Sequence, residues 1–299
     1  MGRPDTDANS TEPRSADGGR GEPSQAGAVG LPGRGWQAGG LASGSAPSAP
    51  GRGGAAGADR PVEAEAGLIA ARLGQAWERI EAACAAAGRP AGAVRLLLAT
   101  KTQPVGAIRA ALAAGAAVIG ENRVQELVAK GPELAGWPHQ AHVIGPLQSN
   151  KVNAALRWAD CVQTVDSARL AQRLNARAIG RPAPLDVMVQ VNTSGEATKA
   201  GVEPAQAAAL ATAVAALEGL KLTGFMTVGP LTDDAARIRR AYARLRAVRD
   251  QVAASGLPGT AEAVELSMGM SGDLELAIAQ GATMVRLGTA VFGPRPAPA

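Results

Sequence analysis

The sequence predicts an α/β protein, a parallel sheet closed into a (β/α)8 TIM barrel. Three observations carry this reading. From about residue 94 onward, short apolar runs alternate with helical stretches, the pattern of parallel βαβ units. The runs number eight, the count of a closed barrel. No G-x-G-x-x-G follows the first run, whereas an open doubly wound dinucleotide-binding sheet carries one there.

Taken in order, the elements begin with a helical pattern over 62–87, with Leu68, Ile69, Leu73, Trp77 and Ile80 on one side and Gly88 as its stop. Strands follow at 94–100 (VRLLLAT), 117–120 (AVIG), 140–145 (QAHVIG) and 161–165 (CVQTV). Four more lie at 185–192 (LDVMVQVN), 221–228 (KLTGFMTV), 263–267 (AVELS) and 283–288 (TMVRLG). Helices are expected near 104–114, 122–130, 149–157, 167–178, 204–217, 233–254 and 271–280. Pro104 suits a first helical position and Gly115 a left-handed stop. Asp166 or Ser167, and Ser271, suit N-caps, and Tyr242 in the long helix reads as packing.

Residues 1–60 differ from the rest. They hold 15 Gly and 6 Pro and no Lys, Ile, Phe or Tyr, too little apolar surface to offset the entropy of ordering. They read as a disordered low-complexity tail, and 61–299 as a single barrel domain. Six arginines and six acids cancel in the tail, so the net charge of +4 belongs to the remainder. No lysine-rich block with interleaved aromatics marks a nucleic-acid groove, and no run reaches transmembrane length. Cys84 and Cys161 have no metal-ligand spacing and read as buried thiols of a reduced, cytoplasmic protein. No metal ligand set is expected.

In a barrel, functional groups gather at the C-terminal ends of the strands. Lys101 ends the first run, an expensive place for an ammonium unless it lines a mouth. After the seventh strand, Gly269, Met270 and Ser271 lead toward a helix N-terminus. After the eighth, Gly288 and Thr289 form a second small loop, preceded by Arg286. Loops after strands 7 and 8 form the recurring phosphate site of such barrels. Asp273 and Glu275 would repel a phosphate unless they point outward. A lysine facing a phosphate cradle suits a phosphorylated aldehyde held as a Schiff base. Pyridoxal 5′-phosphate (PLP) and a sugar phosphate both fit that description.

Six segments in order, "ATKTQP", "GENRVQE", "HVIGPLQSNK", "NTSGEATKAG", "LSMGMSGD" and "MVRLGTAVFG", resemble the pyridoxal phosphate homeostasis proteins (the PROSC or YggS-type family), over roughly residues 65–295. The resemblance implies a fold-type III PLP barrel, similar to the N-terminal domain of alanine racemase, with PLP carried on Lys101. By matching motif it places Asn122, Ser267, Gly269, Ser271, Arg286, Gly288 and Thr289 around the cofactor. The glycines and hydroxyls would take the phosphate. Arg286 would either join them or face the pyridine nitrogen and keep it unprotonated. His142 is either a cofactor contact or a core histidine, and Lys199 either a second amine within reach of PLP or a solvated loop charge. Asn122 could instead serve only as a helix N-cap. Two departures stand out: Ala141 where relatives have an aromatic residue, which loosens packing beneath the signature, and Gln103 where many have lysine.

Alanine racemases continue into a β-domain that supplies a tyrosine opposite the lysine. This sequence stops at 294–299 after the eighth strand, and its one tyrosine lies in a helix. The expectation is therefore a non-catalytic PLP carrier, with no catalytic residues. It would be a monomer that exchanges PLP with apo PLP-dependent enzymes and binds neither membrane nor nucleic acid. The alternative is a single-barrel racemase.

Overall fold

The structure, a computed structural model, describes residues 59–196 and 198–294. Eight parallel strands close into a barrel in sequence order, β1 pairing with both β2 and β8. They are β1 Arg95–Ala99, β2 Val118–Glu121, β3 Gln140–Val143, β4 Cys161–Val165, β5 Leu185–Gln190, β6 Leu220–Met226, β7 Glu265–Ser267 and β8 Met284–Leu287. Six fall inside their predicted runs, while β2 extends one residue past its run to Glu121 and β6 begins one residue before its run at Leu220. The tail expectation lies outside the described residues, except that Asp59 and Arg60 already belong to the first helix.

That helix, α1 (Asp59–Ala86), precedes the barrel. It packs on α2 (Val105–Ala113), α8 (Leu274–Ala279) and α9 (Thr289–Phe292), the helices nearest the β1–β8 closure. Its buried stripe is Ile69, Leu73, Ala76, Ile80, Ala83 and Cys84, the i, i+4, i+7 spacing of one helix face. Leu68, placed in that stripe by the sequence reading, is half-exposed, because it sits one residue round from Ile69.

The remaining helices are α3 (Val124–Leu134), α4 (Val152–Ala155), α5 (Ala168–Ala178), α6 (Pro204–Ala215) and α7 (Ala235–Ala253). Ser167 caps α5, accepting from the Leu170 amide at 3.4 Å, as expected. Two cap assignments need correction. Pro104 stands just before α2 in extended backbone. Ser271 does not cap α8, which begins only at Leu274. There the Asp273 carboxylate accepts from the Met270 amide at 2.6 Å, and the Asp273 amide bonds back to the Met270 carbonyl, closing a turn that delays the helix.

Strand alternation sets the interior. Leu97, Val118 and Met284 form one inward cluster, and Cys161, Met188 and Met226 another. Counting by two from Leu97 carries Ala99 and then Lys101 toward the mouth on the same side. Both cysteines are buried and free. No described helix is long and apolar enough to cross a membrane.

Candidate functional site

A cavity of about 340 Å³ opens at the C-terminal ends of the strands, lined by Lys101, Asn122, Ser271, Arg286, Gly288 and Thr289 among others. This lies at the small end of the range of small-molecule sites, ~300–1,000 Å³. Six of the ten residues singled out from sequence thus share one wall. Ala99, Gln103, Ile144, Val228, Met270 and Gly272 complete it. Sequence reading named Gln103 and Met270 but not as cavity contacts, and it passed over the other four because they are apolar, although strand parity points to Ala99 and Ile144.

The phosphate-type cradle is built from two turns. Gly269 has φ +96°, and a Cβ there would sit 2.6 Å from the Ala277 methyl, so this turn admits only glycine. Gly288 approaches β1 closely: a Cβ would lie 3.2 Å from the Ala99 carbonyl oxygen. The amides of Ser271 and Gly272 take no part in the two bonds that close the 270–273 turn.

The two acids that threatened this cradle are turned away from it. Asp273 accepts from the Tyr242 hydroxyl at 2.7 Å as well as from the Met270 amide. Burial, with the Asp273 charge beside it, pushes the Tyr242 phenol far up, so it stays a neutral donor. Glu275 is gripped by Arg79 of α1 at 2.5 and 2.8 Å, and the same guanidinium donates to the Ser271 carbonyl at 2.8 Å. That pair holds the Glu275 carboxyl below its ordinary range.

Arg286 is buried, and its partners are neutral. It donates to Ser267 Oγ at 2.9 Å and to the Thr227 carbonyl at 2.8 Å. Burial lowers its pKa from the ordinary value, and a guanidinium stays protonated in proteins. A cation at the cavity wall paired only with dipoles suits a ligand acceptor or anion. Ser267 passes the chain on to Gln163 Oε1 at 2.7 Å, and Gln163 Nε2 lies 2.8 Å from His142 Nδ1. Ser267 and His142 therefore stand beneath the cavity rather than on its wall. Burial depresses His142 to about 3, so it is neutral and accepts from Gln163. The signal for Gln163 was available: it is the central residue of a wholly buried strand whose only other polar member is Thr164.

Two other residues are placed differently from expectation. Lys199 does not line the cavity. Its Nζ donates to the Gly229 carbonyl at 2.7 Å and lies 3.3 Å from Glu196, beneath the loop after β5. Asn122 does not cap α3, whose N-cap is Arg123. It is held at the wall by Gly145, where a Cβ would overlap the Asn122 backbone. The Gly145 carbonyl is in turn fixed by Thr164 Oγ1 at 2.9 Å. Gly145→Ala is therefore expected to cost about 1–3 kcal/mol or more through overpacking. Thermal unfolding checks this, with loss of ligand at the cavity as its companion readout. Ala141 is buried in the core, and a second cavity, of about 20 Å³, lies against it, lined also by Glu121, Lys130, His139 and Trp158.

Residues 72–296 match the family model of the alanine racemase N-terminal domain. A pyridoxal phosphate homeostasis protein of Pseudomonas aeruginosa is 44% identical over 228 residues, covering 76% of this chain and 96% of that protein. A crystal structure of an unknown protein from Bifidobacterium adolescentis aligns with TM-score 0.73 and 44% identity, over 77% of this chain and 96% of the other. The structure of PipY from Synechococcus elongatus PCC7942, with PLP bound, aligns with TM-score 0.63 and 35% identity, over 75% of this chain and all of that one.

Proposed function

This chain belongs to the alanine racemase N-terminal domain family, among the pyridoxal phosphate homeostasis proteins, and from that premise we propose that it binds PLP at the strand-end cavity and holds it for delivery to apo PLP-dependent enzymes, without turnover of its own. The observation that carries the reading is one wall shared by Lys101, Arg286 and the 271–272 and 288–289 turns. PLP bound there would supply an aldehyde that condenses reversibly with a primary amine, releasing one water.

Each wall residue has a part in that reading. Lys101 brings the amine. Ser271, Gly272, Gly288 and Thr289 present hydroxyls and backbone amides to the phosphate, and with Asp273 and Glu275 tied to Tyr242 and Arg79, no carboxylate needs to face it. Arg286, fixed by Ser267 and Thr227, would meet the pyridine nitrogen, and a guanidinium gives up no proton to it. An unprotonated ring withdraws electrons poorly, which favours holding the cofactor over using it. Racemisation also needs a proton donor on the face opposite the lysine. The one tyrosine of the sequence is committed to Asp273 and buried. Reduced, cytoplasmic surroundings agree with two free buried thiols.

The test pairs two assays on the PLP-loaded protein. An apo PLP enzyme mixed with it is expected to gain activity, while the α-protons of alanine and serine exchange no faster than with free PLP. Turnover of an amino acid at ordinary enzyme rates, on the order of 1–10³ s⁻¹, abolished in Lys101→Ala, would establish the single-barrel racemase instead.

A further inference from the structure

Among the described residues, one that is not glycine has a left-handed backbone: Thr102, φ 62°, directly after Lys101. Such a conformation is uncommon and persists only where surrounding bonds impose it. A backbone turn supplies part of them, the Gln103 amide donating to the Thr100 carbonyl at 3.0 Å and Thr102 Oγ1 to the Lys101 carbonyl at 2.6 Å, and three charged side chains outside the cavity wall supply the rest. The Thr102 amide donates to Glu126 Oε2 at 2.7 Å. On the other side of Lys101, the Thr100 carbonyl accepts from Lys130 Nζ at 2.9 Å, and Thr100 Oγ1 donates to Glu121 Oε1 at 2.7 Å. Lys130 closes the set, reaching Glu121 at 2.8 Å and Glu126 at 2.9 Å. All three of its N–H bonds therefore have an acceptor.

The stability reading of this triad is weak. Buried ion pairs seldom repay their desolvation, and here the buried Glu121 Oε2 is left with no hydrogen-bond partner. What the triad does achieve is geometric. Together with the turn that Gln103 closes on Thr100, it fixes the peptide groups immediately before and after Lys101.

We propose that Glu121, Lys130 and Glu126 form a positioning clamp that holds the strained backbone around Lys101 and thereby sets how tightly the lysine retains an aldehyde ligand. This rests on the reading of Lys101 as the amine that takes PLP. Lys130 bonds the peptide before Lys101 directly and the one after it through Glu126, Glu126 holds the left-handed Thr102 amide in the turn that Gln103 closes, and Glu121 anchors Lys130 to the end of β2. Relaxing the clamp lets Thr102 return to an ordinary conformation, which re-aims the Lys101 side chain.

The experiment compares PLP with pyridoxine 5′-phosphate, which keeps the ring and phosphate but has a hydroxymethyl in place of the aldehyde. Glu126→Ala is expected to weaken PLP retention roughly 10- to 100-fold, the range of one charge-assisted hydrogen bond, with pyridoxine 5′-phosphate affinity unchanged. Glu126→Gln, which keeps an acceptor oxygen, should recover most of the loss. So should Thr102→Gly in the Glu126→Ala background, since glycine adopts the left-handed conformation unaided. Unchanged PLP retention in Glu126→Ala, or an equal fall for both ligands, overturns the clamp. If the unaltered protein holds both ligands equally and borohydride attaches no cofactor to Lys101, the Lys101 reading itself has failed, and the clamp with it.

Discussion

Replacing Lys101 with alanine is expected to abolish the violet-edge absorbance of the PLP-loaded protein and to eliminate the cofactor adduct that borohydride fixes on the "ATKTQP" peptide. Lys101 lines the cavity at the end of β1, which pairs with β8, and shares its wall with the turns after β7 and β8. The truncation removes the attachment but leaves Arg286 and the phosphate cradle in place. Residual, non-covalent PLP binding should therefore persist, weakened by about 3 kcal/mol or more, on the order of 100-fold. Fluorescence titration gives that affinity, and mass spectrometry of the reduced, digested protein locates the adduct. A Lys101→Ala protein that still yields a reducible covalent adduct would move the assignment elsewhere. Lys199 is a poor substitute, because its Nζ is held by the Gly229 carbonyl and lies beside Glu196.

Acid should unfold this protein partly through His142. The group is neutral in the fold, depressed by burial to about 3 from an ordinary 6.5, with a smaller push from Arg95. In the unfolded chain it titrates normally. Between pH 6.5 and 3 the unfolded state therefore binds a proton that the native state refuses, so stability is whole above this window and falls through it as pH drops. The slope approaches at most about 1.4 kcal/mol per pH unit from this one residue. Protonating His142 Nδ1 would also cost its bond from Gln163, and with it the chain that steadies Arg286. Other groups titrate in the same range with opposite signs. The pairing of Glu275 with Arg79 is lost on acidification, while Glu121, Glu265 and Asp186, all raised by burial, become less costly to keep inside. The clean observable is the difference between the unaltered protein and His142→Gln, each unfolded in urea at pH 7, 5.5 and 4. Stability of the variant should depend less steeply on pH, whatever its absolute value. Parallel pH curves for the two proteins would mean that His142 does not carry the acid sensitivity.

Much of the site could be read without coordinates, because it is written in local patterns. Period-two alternation through Leu97 and Ala99 directs Lys101 inward, and small residues after the last two strands mark a close backbone approach, which Gly269 and Gly288 then display. Eight apolar runs separated by helical stretches point to a parallel barrel, and each strand falls within one residue of its run. Hydrophobic periodicity is a property of neighbours along the chain, so a single sequence carries it whole.

The tertiary structure alone decided which distant groups meet. Asp273 and Glu275 read as obstacles to an anion until Tyr242, 31 residues away, and Arg79, 196 residues away, are seen to hold them. His142 could have been a cofactor contact or a core residue. It is instead the buried end of a chain through Gln163 and Ser267 to Arg286. Lys199 left the cavity for a loop carbonyl, and the left-handed turn at Thr102 is held by Glu126 from α3. Every one of these outcomes turns on how a polar or charged group finds its partner. That partner is set by the closure of the barrel, which brings β1 beside β8 and α1 onto α8, and a local pattern of apolar and polar residues contains no record of it.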